Sequence, residues 1–197
     1  MSIQNAFKMF VGFFAQDATG AAYAPLDDPA YSALKFGKKN LIPLELELTN
    51  VARGETTTET REKKAITDLD RWTRFSVGKK KQGEISFNAE RPLDMSPLDA
   101  ELEKLAVDEP ELGLLVVGEY KETTTDGKRV FDVVFATAAF YVAGGGLNGE
   151  AAGALTSAIK FQPTGNPLEG TGANQTTATV DLSTNEVVLE TTQKQQS

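Results

Sequence analysis

The chain has 197 residues, 40% of them hydrophobic, and a formal net charge of −8 from 20 basic and 28 acidic residues. This length fits a single domain with long loops or arms, and this composition supplies a packed core, which excludes a chain disordered throughout. Cysteine and histidine are both missing from the sequence, so disulfides, Cys/His zinc sites and imidazole bases are excluded. The acidic balance argues against tight binding to a phosphate backbone.

The first strongly apolar stretch, Met-Phe-Val-Gly-Phe-Phe-Ala at residues 9–15, predicts a buried strand near the N-terminus. It is too short to span a bilayer. A secretory signal peptide is the alternative, with Ala22-Tyr-Ala24 as its cleavage site, but Asp17 interrupts the spacing between the apolar run and that site. We therefore expect a strand here, no membrane insertion, and an N-terminal arm over about residues 1–40.

A regular alternation of leucine and glutamate predicts a strand over residues 44–48, with Glu45 and Glu47 on its polar face. Residues 50–71, which follow, are polar and rich in threonine, with five basic and five acidic side chains. A connection of this length without regular structure is usually functional or disordered. We expect this long loop to contact a second copy or a neighbouring protein through its interleaved charges. The candidate contact residues are Arg53, Glu55, Glu59, Arg61, Glu62, Lys63 and Lys64.

Residues 72–77 and 84–89 flank a Gly-Lys-Lys-Lys-Gln-Gly connection, a pattern that predicts a hairpin. Polar and apolar residues alternate over 84–89, which places Glu84 on the polar face. The lysines at 79–81 favour an exposed hairpin tip over a phosphate site, because no aromatic residues are interleaved with them.

One segment, residues 97–107, has the periodicity of a helix, and it lies in a stretch, 90–111, with eight acidic and two basic residues. Ser96 is a suitable N-cap and Pro97 suits the first helical position. Apolar residues then recur at i, i+4, i+7 and i+8 from Leu98, which gives one apolar stripe. We predict an amphipathic helix of about three turns that packs on an apolar surface.

Two hairpins are predicted in the second half of the chain. Residues 112–124 and 129–142 flank Asp126-Gly127, which is typical of a type I′ turn. Further strands are predicted over 155–161, 177–182 and 186–189, the last two flanking a Ser-Thr-Asn turn. The predicted fold is therefore mainly β: one antiparallel sandwich or barrel over residues 1–197, with one amphipathic helix, a long loop, an N-terminal arm and a C-terminal extension over about 168–197.

Motifs for catalysis or cofactor binding are weak. The glycines within 144–149 match the spacing of a dinucleotide-binding loop, but no strand–turn–helix context surrounds them, and we interpret them as a flexible hairpin loop. The pairs Asp27/Asp28 and Glu45/Glu47 lack the cleft residues that a glycosidase needs. We therefore predict no enzymatic activity, no cofactor and no metal site.

The closing segment and the order of the elements resemble a known family. Hairpins, a long polar loop after an early strand and a central helix precede a last strand that ends Ile159-Lys-Phe-Gln-Pro-Thr-Gly165-Asn-Pro167. Over residues 40–167 the chain resembles the tail tube (major tail) proteins of long-tailed bacteriophages. The Phe-x-Pro-Thr-Gly-x-Pro ending and the helix at 97–107 carry most of the resemblance.

The resemblance implies a virion protein, made in the host cytoplasm, that forms hexameric rings stacked into a tail tube. Double-stranded DNA would pass through this tube without specific binding, and the tape measure and tail terminator proteins would be partners. The long loop and the arms would contact adjacent subunits or rings. We expect Glu45, Glu47 and Glu84 to line the lumen and repel phosphates, and we expect deletion of residues 50–71 to block stacking while leaving a folded domain.

Two other classes of function stay open. Related β architectures serve in tail terminators, capsid decoration proteins and secretion-tube proteins, and the stacking of rings distinguishes these from a tail tube. A small-molecule-binding β-barrel would need a deep pocket with converging polar groups.

Overall fold

The computed structural model describes residues 9–22, 34–42, 48–63, 74–90, 112–148, 156–169 and 174–193. These ranges hold eleven strands: β1 (Met9–Ala22), β2 (Lys35–Phe36), β3 (Leu48–Arg53), β4 (Thr57–Lys63), β5 (Arg74–Lys81), β6 (Ile85–Glu90), β7 (Leu112–Thr123), β8 (Arg129–Asn148), β9 (Thr156–Glu169), β10 (Asn174–Asp181) and β11 (Glu186–Gln193). All their pairings are antiparallel. The predicted mainly β, antiparallel fold is confirmed, while the predicted helix at 97–107 lies outside the described residues.

The 20-residue strand β8 organises the main sheet of nine strands. One edge of β8 pairs with β7, and β7 pairs in turn with β1. The other edge is shared, because β10 pairs with its first residues, 129–132, and β9 pairs with 135–148. Beyond these, β9 continues to β6 and β3, and β10 continues to β11. Two groups of strands therefore diverge from a common spine of β1, β7 and β8.

The central part of the spine is buried on both faces, since residues 10–14 of β1 and 113–118 of β7 are buried, which explains why these stretches are continuous apolar runs without alternation. One face packs in a cluster that we call the sheet core, made of Val11, Phe13, Ile42, Ile85, Phe87, Ala89, Leu115, Val117, Phe135, Ala139, Tyr141, Ile159 and Phe161. The other face packs in the barrel core, made of Phe10, Phe14, Phe36, Leu114, Val116, Phe131, Val133, Ala136, Ala178, Val180 and Val187. Aromatic rings join the strands of the sheet core, with the Phe13 and Phe161 centroids 4.7 Å apart.

The barrel core is enclosed because residues 34–42 connect β1 to the β10–β11 hairpin. Four backbone hydrogen bonds make this connection: Gly37 N to Ala15 O (3.0 Å), Leu41 N to Phe13 O (2.9 Å), Asn40 N to Asn185 O (3.1 Å) and Val187 N to Lys38 O (3.0 Å). The buried Asn40 Oδ1 also accepts from the backbone N–H of Phe13 (3.0 Å) and of Ile42 (3.1 Å). Segment 34–42, part of the predicted N-terminal arm, thus completes the wall of this core.

A β-bulge at Val134 lets β8 serve both cores. Val117 pairs with Phe135 and Gly118 pairs with Val133, so Val134 is an extra residue on β8. The bulge reverses the side-chain phase of the strand: Val133 faces the barrel core, whereas Phe135 faces the sheet core. Without the extra residue, Val133 and Phe135 would face the same core, because side chains two positions apart lie on the same face of a regular strand.

Several local predictions are confirmed. The apolar stretch at 9–15 is the first half of β1, residues 112–123 and 129–142 pair as β7 and β8, and the C-terminal hairpin forms as β10 and β11. The β7–β8 turn differs in type, because Gly127 has φ 81° but Asp126 does not have positive φ. Gly127 N donates to Thr124 O (3.0 Å), as in a type I turn followed by a left-handed glycine.

Three other predictions are wrong. Residues 72–77 and 84–89 do not form a hairpin with each other, because β5 pairs with β4 while β6 pairs with β3 and β9. The stretch 50–71 is not an unstructured loop in its described part: it completes β3 and contains β4. The described glycines of 144–149 are not a hairpin loop either. Within β8 they oppose β9 across two register shifts, since glycine tolerates the bulges that bend a strand.

Candidate assembly surface

Strands β4 and β5 form a separate two-stranded sheet, which we call the ribbon. It interrupts the β3–β6 pair, so the chain leaves the main sheet at Arg53 and rejoins it at Ile85. Residues 57–60 and 78–81, the half of the ribbon nearest the main sheet, are exposed. Because side chains alternate between faces of a strand, both faces of this half meet solvent. An isolated two-stranded ribbon is marginally stable in water, so this feature is suited to docking on another surface.

The ribbon is basic in an acidic protein. Its two strands carry six basic and two acidic residues, a net charge of +4, while the whole chain carries −8. The basic residues are Arg61, Lys63, Arg74, Lys79, Lys80 and Lys81, and the acidic ones are Glu59 and Glu62. Complementary charge of this kind guides the encounter and the register of two surfaces more than it adds affinity. The remainder of a second copy of the chain supplies the opposite sign.

The root of the ribbon is a contact between two glycines. Gly54 and Gly83 approach so closely that a Cβ on Gly83 would lie 2.3 Å from the carbonyl carbon of Gly54. Gly54 N donates to Glu84 O (2.7 Å), which holds the two strands together at this point. A side chain at Gly83 would force the strands apart, so the joint requires glycine there, whereas a Cβ on Gly54 would lie 3.0 Å from Gly83 Cα and needs only a small shift.

The candidate contact residues are distributed along this feature. Arg53 is at the end of β3, with its guanidinium carbon 4.4 Å from the centroid of the Phe135 ring, a cation–π geometry. Glu55 is exposed at the root, and Glu59 is exposed on β4 opposite a bulge in β5. The backbones of Arg61, Glu62 and Lys63 pair with Ser76, Phe75 and Arg74. Lys64 lies outside the described residues.

Of the three lumen candidates, Glu84 alone lies within the described residues, and Glu45 and Glu47 do not. Glu84 is exposed in the connection between the ribbon and β6 rather than on a strand face. It is therefore next to the ribbon root, three to five positions after the lysines at 79–81. The lining of a lumen by this side chain stays a prediction.

The segment 161–167, which carries the family resemblance, contacts the ribbon root. Gln162 Nε2 donates to the backbone oxygen of Gln82 (3.0 Å), and Gln82 Nε2 donates to the backbone oxygen of Gly165. Sequence reasoning missed these two glutamines, because they are 80 positions apart and neither belongs to a recognisable motif. The proline and glycine residues within the strand were the available signal, since both mark irregular strand pairing.

Three aspartates of the described chain have a lowered pKa: Asp17 in β1, where its register shifts, Asp126 in the β7–β8 turn, and Asp181 at the end of β10. The pKa of Asp17 is lowered by the hydroxyl and backbone N–H of Thr19, and the pKa of Asp181 by the hydroxyl and backbone N–H of Ser183. The pKa of Asp126 is lowered by hydrogen bonds from Thr124 and Lys128. In each case a donor stabilises the charged carboxylate. These shifts arise from local hydrogen bonds between residues close in sequence.

Two further observations apply to the described ranges. Nowhere in them do three or more His, Cys, Asp or Glu side chains come together in a group that would hold a metal ion. A helix long and apolar enough to cross a membrane is not found in the part of the chain that the structure describes.

Comparisons with known proteins find similar chains among solved structures. No protein-family model matches the chain, and no curated protein matches it. Among solved structures, the chain is similar to one from the cryo-EM structure of the anti-feeding prophage (AFP) baseplate, 6-fold symmetrised, with 11% sequence identity and a TM-score of 0.45. The match covers 87% of this chain and 99% of that one. What this chain does must be inferred from its own surfaces.

Proposed function

We propose that this chain is a structural, self-assembling protein of a phage-type tail, whose copies form hexameric rings that stack into a tube for the passage of DNA. It performs no chemical reaction and needs no cofactor. The observation that carries the proposal is the ribbon, which is exposed on both faces near its root, carries charge opposite to that of the chain, and gains burial by docking on a neighbour.

The rest of the fold supports this role. Two cores on a common spine make a firm body, and every described side chain of the two clusters comes from outside the ribbon. A body of this kind presents the ribbon to a partner at a defined place. The resemblance of the closing segment to tail tube proteins supports the same proposal, with the tape measure and tail terminator proteins as further partners and the virion tail as its location.

The structure also redefines the deletion that tests the proposal. Removing residues 50–71 would take away the last residues of β3, including Arg53 on the Phe135 ring, and would leave β5 without its partner. A cleaner variant replaces residues 55–82 with Asn-Gly. The Gly54–Gly83 contact places the two ends close enough for a two-residue turn.

Electron microscopy of the purified protein decides the question. We expect the wild type to form rings that stack at high protein concentration, and the ribbon-deleted variant to stay folded by circular dichroism without stacking. Single rings from the wild type would identify a terminator-like protein instead. Solitary particles at every concentration and salt would contradict self-assembly.

Charge reversal tests the ribbon without removing it. In the triple variant Lys79→Glu, Lys80→Glu, Lys81→Glu the ribbon changes from +4 to −2, so we expect assembly to be lost at low salt while the body keeps its thermal stability, since all three side chains are exposed. The matched control Lys35→Glu, Lys38→Glu, Lys160→Glu changes the net charge equally at exposed positions on the body. Equal loss of assembly in the control would assign the effect to net charge and not to the ribbon.

A further inference from the structure

The strand β9 is irregular where it passes the ribbon root. Thr164 pairs with Ala138 and Leu168 pairs with Ala136, so residues 165–167 form a bulge opposite Thr137. Gly165 has φ 74°, a conformation that favours glycine. The buried hydroxyl of Thr137 lies 3.1 Å from Ala138 O and 3.3 Å from Thr164 O, so its one proton is donated between these two carbonyls next to the bulge.

The segment 162–165, which leads into this bulge, supplies both partners of the ribbon root. The bulge follows Gln162, whose Nε2 donates to Gln82 O (3.0 Å), and it exposes the carbonyl of Gly165 to Gln82 Nε2. Gln82 is the last residue before the Gly83 joint, so its backbone and its side chain are both held by β9. Gln162 is itself fixed by a second hydrogen bond from Nε2 to Pro163 O (3.1 Å).

We infer that Gln82, Gln162 and the bulge at 165–167 form a clamp that sets the direction in which the ribbon leaves the body. The Gly54–Gly83 joint lacks side chains and is spanned by the backbone hydrogen bond from Gly54 N to Glu84 O (2.7 Å), so side-chain packing at the joint does not fix the angle of the ribbon. The exposed half of the ribbon provides no buried side chain to fix its angle. The segment 161–167 therefore has a positioning role, because its contacts with Gln82 fix the orientation of the ribbon relative to the body.

The direction of the ribbon matters because the ribbon is long. Strands of seven and eight residues reach about 25 Å from the joint, at about 3.3 Å per residue. A rotation of about 10° at the joint moves the tip by about 4 Å, which exceeds the length of a hydrogen bond. Loss of the clamp would therefore misalign the ribbon with the surface of a neighbouring subunit, although the residues of both surfaces stay the same.

A spectroscopic distance tests the clamp without reference to assembly. The chain has no cysteine, so Thr60→Cys on the ribbon and Glu119→Cys on β7, both exposed, accept a pair of spin labels at defined sites. In the dilute protein we expect a narrow distance distribution, which Gln162→Met broadens about twofold because the isosteric side chain cannot donate. Gln82→Met should do the same.

The matched control is Gln175→Met, which removes one amide hydrogen bond of similar burial, Gln175 Nε2 to Asp132 Oδ1 (2.9 Å), from the other end of the body. It should leave the distribution unchanged. A broad distribution in the wild type, or equal widths in the Gln162→Met variant and the wild type, would overturn the clamp.

The consequence for assembly rests on the proposed function and is measured separately. We expect Gln162→Met to slow ring stacking about tenfold by light scattering, because few ribbons then have the competent direction, with an unchanged unfolding midpoint relative to Gln175→Met. If the wild type does not stack, the proposed function fails while the distance measurement still decides the clamp. If the wild type stacks and Gln162→Met stacks equally fast, the positioning role fails alone.

Discussion

The spine strands β1 and β7 and the ribbon strands β4 and β5 have the same antiparallel hydrogen bonding but opposite environments. On the spine, alternate side chains enter two different cores, and Phe13 and Leu115 have no exposed surface. On the half of the ribbon nearest the body, every residue is exposed. Backbone pairing alone contributes little net stability in water. The spine is therefore stabilised by the burial of its side chains, whereas this half of the ribbon can bury its side chains only against another molecule.

This contrast indicates that different parts of the chain determine its folding stability and its assembly. We expect the body to tolerate a change in the ribbon, because the core side chains that the structure describes all come from outside the ribbon. The half of the ribbon nearest the body is exposed, so burial of its side chains against the body does not stabilise it. We expect substitutions in the two regions to affect different measurements.

The largest expected effect is the truncation of a ring in the sheet core. Phe161 is fully buried and contacts the rings of Phe13, Phe87 and Tyr141, so Phe161→Ala should lower the free energy of unfolding in urea by about 3–5 kcal/mol. The exposed ribbon residue Thr58 provides the contrast, since Thr58→Ala should change the same free energy by less than about 0.5 kcal/mol. Similar costs at the two sites would remove the distinction between body and ribbon.

The next effect concerns the closure of the barrel core. Asn40→Ala removes the acceptor for two buried backbone N–H groups, those of Phe13 and Ile42, and should cost about 2–3 kcal/mol by urea unfolding. Gln175→Ala, which removes one half-buried hydrogen bond, should cost about 1 kcal/mol. An unchanged unfolding free energy in Asn40→Ala would show that segment 34–42 does not help to hold the body together.

A smaller effect is expected from overpacking. A Cβ on Gly113 would lie 2.2 Å from the ring of Phe13, so Gly113→Ala must displace that ring and should cost about 1–3 kcal/mol. At Gly37 the nearest atom would be 3.7 Å away, and Gly37→Ala should be neutral within about 0.5 kcal/mol. Thermal unfolding of the two variants side by side gives the comparison, and an equally stable Gly113→Ala protein would contradict the tight packing of the spine.

The smallest effect is a dependence on pH at the β10–β11 turn. The pKa of Asp181 is lowered from its ordinary value of 3.8, chiefly by the Ser183 hydroxyl (2.6 Å) and then by the Ser183 N–H (2.9 Å). A lowered folded pKa means that the stabilisation is present above the unfolded value and is lost as the pH falls through the folded value. Carbon NMR of the Asp181 carboxyl should therefore show a midpoint below 3.8, and Ser183→Ala should raise it. A wild-type midpoint at or above 3.8 would contradict the turn geometry.

Much of the body could be predicted because burial leaves a pattern. Continuous apolar runs predicted the spine strands, and turn residues at 126–127 and 183–185 predicted both C-terminal hairpins. Hydrophobic periodicity reports burial, however, and the ribbon has none in its exposed half. Its threonines, which favour strands, were the remaining signal in a stretch that we predicted as a loop.

The candidate site could be predicted in part for the same reason. The interleaved charges of 53–64 indicated a contact segment, and the lysines at 79–81 indicated exposure, but their union in one ribbon depends on β4 pairing with β5. No local pattern in the sequence reveals that pairing. The contact between Gln82 and Gln162 likewise joins positions that the fold alone brings together.

The most direct test of the division between body and ribbon is amide hydrogen exchange, measured by mass spectrometry on isolated and on assembled protein. The account predicts that peptides from residues 57–63 and 74–81 exchange fast in the isolated chain and become strongly protected on assembly, while β1 and β7 are protected in both states. Ribbon peptides that exchange at the same rate in isolated and assembled protein would contradict it.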